Sequence, residues 1–133
     1  MMAESAMKPE KRRIMLVDDE PGIRLMLSML LEEEGYEVIS AKDGREALEL
    51  LRIAEPDAVI TDYMMPHLTG LQLITAIREL PNSMNTPILL MSAALPSDVD
   101  LASVKVPFLA KPANLDRLLN LLEQLIASSQ SDS

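Results

Sequence analysis

Short apolar runs alternate with helical stripes along the chain, and the alternation recurs five times. Ile14 to Val17 is an apolar run bounded by charge, too short for a helix and suited to a strand buried on both faces. It ends at Asp18. Pro21 then stands where the first turn of a helix tolerates proline, and Ile23, Leu27, Leu30 and Leu31 recur at helical spacing until Gly35 stops the pattern. Glu37 to Ala41 reads as a second strand, after which Asp43 and Gly44 turn the chain into a helix bearing Ala47, Leu48 and Leu51; Pro56 closes the unit. Ala58 to Thr61 is the third strand, ending at Asp62, and Leu71, Ile74, Ile77 and Arg78 lie on the next helix, which stops before Pro81. Pro87 to Met91 is the fourth strand, and a weaker helical segment from about Ser97 to Ser103 leads to the fifth, Val106 to Ala110. Asn114 is the expected N-cap of a last helix whose stripe is Leu115, Leu118, Leu119, Leu122, Leu125 and Ile126. Leu121 lies off that stripe and is expected at the surface as a partner-contact candidate, although one exposed leucine is ordinary.

Strand-then-helix units in series predict a parallel sheet, because parallel strands need crossovers and the crossovers cover both faces. The expected class is α/β, doubly wound, with a five-stranded parallel sheet in the flavodoxin-like order 2-1-3-4-5 and helices on both faces. The chain of 133 residues is one domain's length. Residues 1–12, polar with Pro9 and the basic cluster Lys11, Arg12 and Arg13, are expected as a flexible lead-in, 13–127 as the domain and the Ser-rich 128–133 as a flexible tail. No internal repeat, linker or separate effector module is expected.

Composition narrows the function. A net charge of −9 argues against nonspecific nucleic-acid binding, which needs a basic face, and favours cations and basic partners. With no cysteine, disulfide frameworks, thiolate metal sites and cysteine nucleophiles are excluded. No apolar run reaches membrane-helix length and the first residues lack a signal's apolar stretch, so a cytoplasmic protein without membrane insertion is expected.

In open α/β sheets ligands bind beyond the carboxyl ends of the strands. Those ends carry Asp18, Asp19 and Glu20, then Asp62, Ser92 and Lys111. Asp18 and Asp62 are 44 residues apart, two strand–helix units of about 22 residues each. Carboxylates converging there repel by about 4 kcal/mol per pair at roughly 4 Å and an effective dielectric near 20, which a divalent cation relieves. All-oxygen donors favour Mg²⁺, with Mn²⁺ as the alternative. A cation beside a lysine and a hydroxyl suits a phosphoryl group, whose charge they neutralise.

Asp18-Asp19-Glu20-Pro21, then Asp62-Tyr63-Met64-Met65-Pro66 with Gly70, Ser92-Ala93 and Lys111-Pro112 stand in order at strand ends. This set closely resembles the receiver domain of two-component response regulators, over about Arg13 to Ala127. The resemblance implies a stand-alone response regulator: Asp62 accepts a phosphoryl group from a histidine kinase or histidine phosphotransfer protein, and the altered surface signals to a downstream protein target or relays the group. Such a protein is a signalling switch that catalyses only its own modification. The resemblance further implies that Asp19, Asp62 and the main-chain carbonyl of Met64 bind Mg²⁺ directly, with Asp18 helping directly or through water. Lys111 would pair with Asp62 and then with the phosphoryl oxygens; Ser92 and Phe108 would be the switch pair, and Lys111-Pro112 the family's usually cis peptide. No direct nucleic-acid contact is expected, and a monomer or weak dimer.

Three departures bear on regulation. Ser92 stands where threonine is more frequent; the 18 residues between Ser92 and Lys111 are a few short of usual, so the helix there should be short or irregular; and Met64 and Ala94, flanking the acceptor, offer no polar group to attacking water, which predicts slow self-dephosphorylation. Singly, these residues have plainer readings. An Asp-Asp-Glu run before a helix is more often dipole-favourable charge than a metal site, Ser92 alone is a strand-end hydroxyl, and Phe108 alone is core. His67, after Pro66, reads as a solvated loop residue, and most methionines as core filler. Two other functions compete: a small Mg²⁺-dependent phosphohydrolase, against which stand the lack of a cap domain, of a carboxylate two residues after Asp62 and of an obvious substrate pocket, and a receiver-like binding module that needs no phosphorylation.

Overall fold

The computed structural model describes residues 11–93, 106–111 and 114–131. Its elements are β1 (Arg13–Val17), α1 (Pro21–Glu33), β2 (Glu37–Ala41), α2 (Gly44–Leu51), β3 (Ala58–Asp62), α3 (Gly70–Arg78), β4 (Ile88–Ser92), β5 (Phe108–Ala110) and α4 (Leu115–Ser131). All five strands are parallel, in the order β2-β1-β3-β4-β5. The expected α/β class, strand order and two-sided helix cover are therefore present.

Side chains alternate across a strand, and the core divides accordingly. Ile14, Leu16, Ala58, Ile60, Leu89 and Met91 pack with Leu27 and Leu31 of α1 and Leu118, Leu122 and Ile126 of α4. Their neighbours Met15, Val17, Val59, Ile88 and Leu90 pack with Ala47 and Leu51 of α2 and Leu73, Ile74 and Ile77 of α3. Covered on both faces, β1, β3 and β4 have no polar alternation to show, which is why they read as continuous apolar runs.

Helix ends follow local chemistry. Pro21 opens α1 in the first turn. Asp43 caps α2 by accepting from Glu46 N–H at 2.9 Å, Thr69 and Gln72 form a capping box on α3, and Asn114 Oδ1 accepts from Arg117 N–H at 3.1 Å. Gly35, at φ 99°, closes α1: its N–H reaches the Glu32 carbonyl, and Tyr36 N–H reaches that of Leu31.

Several boundaries shift, for identifiable reasons. β4 begins at Ile88 and β5 at Phe108 rather than at Pro87 and Val106. Pro87 and Pro107 cannot donate to a ladder, although both carbonyls accept, from Val59 and Leu90 N–H. α4 continues past Ala127 to Ser131, since extending an anchored helix through serine costs little. Leu121 is half-buried against the α1/α4 core rather than exposed. The expected lead-in through residue 10, the helical segment from Ser97 to Ser103, Ala94 and Pro112 lie outside the described residues.

Candidate functional site

The carboxyl ends of β1, β3, β4 and β5 bring four of the expected residues to one edge. Asp18 follows β1, Asp62 ends β3, Ser92 ends β4 and Lys111 follows β5. The Lys111 ammonium donates to Asp18 Oδ2 at 2.8 Å and to Asp62 Oδ2 at 3.1 Å. Both carboxylates are buried, at 2% and 7% exposure, so two anions withdrawn from water share one half-buried cation.

Burial pushes the Asp62 carboxyl above the usual carboxylate range. The Lys111 hydrogen bond and charge and the Met64 main-chain N–H pull the other way, Asp18 adds to the rise, and the net shift is upward. Burial also disfavours the Lys111 ammonium, but the hydrogen bonds and charges of Asp18 and Asp62 outweigh it, so its pKa lies above that of a free lysine.

A third carboxylate, that of Glu20, joins them. Carboxylate oxygens of Asp18, Glu20 and Asp62 lie within 4.8 Å of one another; Asp19 and Glu20 are both exposed, and Asp19 stands outside this group. The turn brings Glu20 there: Asp18 Oδ1 accepts from Glu20 N–H at 2.9 Å, folding the chain back two residues on. The D-x-E spacing was the signal in the sequence for Glu20. Three carboxylates and one ammonium, all hard donors apart from the lysine, fit a small divalent cation.

Met64 contributes its main-chain N–H to Asp62, and its side chain is 59% exposed. Ser92 is buried at 1% exposure, and its carbonyl accepts from Lys111 N–H at 2.9 Å, tying β4 to the lysine's own backbone. Phe108 opens β5 half-buried against the α2/α3 core. Behind Asp62 the loop to α3 is tight. Gly70 N–H donates to the Tyr63 carbonyl, and Leu68 N–H to Pro66, closing a three-residue turn around His67 at φ 72°. His67 is exposed, as expected.

Beside the site a cavity of about 340 Å³ opens between α1 and α4. Ile23, Met26, Leu27, Leu30 and Leu118 make it apolar, and Glu20 and Lys111 form its polar edge. It offers no cluster of polar groups that would grip a hydrophilic substrate.

The fold and this strand-end constellation define a class, and comparison identifies it: residues 14–123 match the family described as response regulator receiver domain, and the chain belongs to that family. It is 36% identical over 123 residues to the response regulator MprA of Mycolicibacterium vanbaalenii, covering 90% of this chain and 52% of that protein. Among solved structures it resembles the chemotaxis response regulator CheY4 of Vibrio cholerae, with a TM-score of 0.79 at 35% identity over 86% of this chain and 98% of that one. It also resembles TrrA of Thermotoga maritima, solved with Mg²⁺-BeF, with a TM-score of 0.76 at 36% identity and the same coverage. The chain spans between about a quarter and a half of the length of the curated relatives first matched. Receiver domains are signalling switches that interact with histidine kinases and downstream effectors. No described helix is long and apolar enough to cross a membrane.

Proposed function

We propose that this receiver takes a phosphoryl group on Asp62 from a histidine kinase or histidine phosphotransfer protein, in a Mg²⁺-dependent reaction, and signals through the change in its surface. The observation that carries the reading is the Lys111 ammonium bridging buried Asp18 and Asp62 at the sheet edge. A carboxylate oxygen of Asp62 attacks phosphorus, the phosphorus–nitrogen bond to the donor imidazole breaks, and its electron pair leaves on that nitrogen. Lys111 orients Asp62 and, as an acyl phosphate replaces the carboxylate charge, is placed to follow the phosphoryl oxygens. Mg²⁺, when bound, supplies neutralisation of the phosphoryl charge. It would be held by Asp62, by the Asp18-Asp19-Glu20 turn, from which Asp18 and Glu20 stand closest, and by the main-chain carbonyl of Met64; the Mg²⁺-BeF state of TrrA supports this reading.

The apolar cavity and Met26, 52% exposed on α1, adjoin Glu20 and Lys111 and suit the docking of a donor helix beside the acceptor. Ser92 and Phe108 are the proposed switch pair.

The experiment is incubation with Mg²⁺ and acetyl phosphate followed by intact mass, with Asp62→Ala in parallel. A phosphoryl-sized increase in the wild type alone is expected and disappears on chelation of Mg²⁺. An equal increase in Asp62→Ala overturns the assignment of the acceptor; sustained phosphate release without a labelled protein overturns it in favour of a phosphohydrolase.

A further inference from the structure

We infer that Arg24 is a positioning residue for the cation site, fastening the turn that carries Asp18 and Glu20 through its backbone so that the carboxylate oxygens stay available to metal. The inference rests on the receiver reading above and concerns a residue that the motif at the strand ends does not include.

Pairing of β1 with both neighbours ends at Val17. Asp18 N–H still reaches the Ala41 carbonyl of β2, but the Asp18 carbonyl has passed the end of the ladder and accepts instead from Arg24 Nη1 at 2.6 Å. Arg24 is half-buried in the first turn of α1, and its own N–H bonds to the Glu20 carbonyl at 2.9 Å. One residue thus grips the turn at both ends, with its side chain on Asp18 and its main chain on Glu20. The Glu20 N–H bond to Asp18 Oδ1 closes the turn from within.

This arrangement answers a specific difficulty. Three carboxylates within 4.8 Å repel one another, and the turn between β1 and α1 is the part of the site free to relax outward. Lys111 already holds Asp18 and Asp62 through one carboxylate oxygen of each, and there it competes with metal. Arg24 reaches the peptide oxygen, so it resists the repulsion while using none of the carboxylate oxygens.

The two physical effects of Arg24 have opposite signs, which makes the inference testable. As a nearby positive charge it weakens binding of a second cation; as a fastener it strengthens binding by keeping the carboxylates together. The test is Mg²⁺ affinity by calorimetric titration of the intact protein, well below its unfolding temperature, in wild type, Arg24→Ala, Arg24→Met and Arg24→Lys. Arg24→Met keeps the packing of the stem while removing the donors and the charge together, so it separates their loss from loosened packing should alanine disturb the helix.

Weakening of about tenfold is expected in Arg24→Ala and Arg24→Met, the scale of one charge-assisted hydrogen bond. Arg24→Lys recovers most of it, because the Asp18 carbonyl takes a single donor. Affinity unchanged or tightened in the alanine and methionine variants, as loss of a positive charge alone gives, overturns the inference and leaves the receiver reading standing. Absence of Mg²⁺ binding in the wild type overturns the receiver reading and the inference with it.

Discussion

A β-carbon added at Gly70 would lie 2.7 Å from the main-chain oxygen of Asp62, 2.8 Å from Leu90 Cδ1 and 2.9 Å from Tyr63 Cα. The leucine methyl can rotate away, but the other two atoms are backbone, and the tightest contact falls about 0.7 Å inside the 3.4 Å where ordinary contact begins. In Gly70→Ala the start of α3 must therefore move off the end of β3, stretching the 2.8 Å bond from Gly70 N–H to the Tyr63 carbonyl. Overpacking of this kind costs about 1–3 kcal/mol. Alanine's helix preference returns at most about 1 kcal/mol and less in a first turn, so a net loss of about 1–2 kcal/mol is expected, a fall in Tm of roughly 3–8 °C. Gly22 is the internal control: a β-carbon there meets nothing within 4 Å on exposed α1, so Gly22→Ala should stabilise by up to about 1 kcal/mol. The chain has no tryptophan, so urea unfolding is followed by far-UV circular dichroism. Because the crowded oxygen belongs to Asp62, acetyl phosphate labelling of Gly70→Ala should also slow. Gly70→Ala as stable as wild type, or Gly22→Ala as damaging as Gly70→Ala, would refute the close-approach argument.

Three further outcomes follow from the site. His67 holds φ at 72° in a tight turn, which costs a side-chain-bearing residue about 1–2 kcal/mol; His67→Gly should gain about 0.5 kcal/mol after glycine's own entropy cost, and a loss of stability on urea unfolding would count against a strained turn. Lys111→Met leaves two buried carboxylates uncompensated, a loss of about 3–5 kcal/mol at neutral pH. The sign with pH follows from the shifts. Asp62 has a folded pKa above its unfolded value, so its protonation favours the folded state, and that contribution is lost as pH rises through the folded pKa. Removing Lys111 raises the Asp62 pKa further, so Lys111→Met should recover stability as pH falls from neutral through the raised Asp62 value more than wild type does, and a parallel profile would refute the coupling. In wild type the Lys111 pairing, with the lysine pKa raised, should be lost only above the ordinary lysine range, as pH rises through the folded value. Met64, exposed beside Asp62, offers attacking water no polar group; Met64→Asn should shorten the half-life of the phosphorylated form, and decay no faster than wild type would overturn that account.

What the sequence disclosed and what it hid divide along a physical line. Chemistry borne by residue type at a strand end was legible: Asp18, Asp62, Ser92 and Lys111 each stand at the terminus of an apolar run, and a parallel sheet brings such termini to one edge whatever the details of packing. The helix starts at Asp43 and Asn114 were legible for the same reason, since each side chain acts on a donor three residues away. Relations set by the path of the backbone were not. That the Glu20 carboxylate comes within 4.8 Å of those of Asp18 and Asp62 depends on a turn closed by one hydrogen bond to Asp18 Oδ1. The role of Arg24 depends on a carbonyl that has run past the end of its ladder, and a helical stripe presents Arg24 simply as a polar position. The same holds at the ends of α4 and β5, where the serine-rich stretch keeps its helix because the buried turns before it have already met the cost of nucleation, and Pro107 shortens a strand whose carbonyl it still lends. Residue types thus state what a site can do. The few hydrogen bonds around Asp18 set how the acidic turn sits against Asp62, and it is there that substitutions outside the motif, at Arg24 above all, should change cation affinity without touching the acceptor.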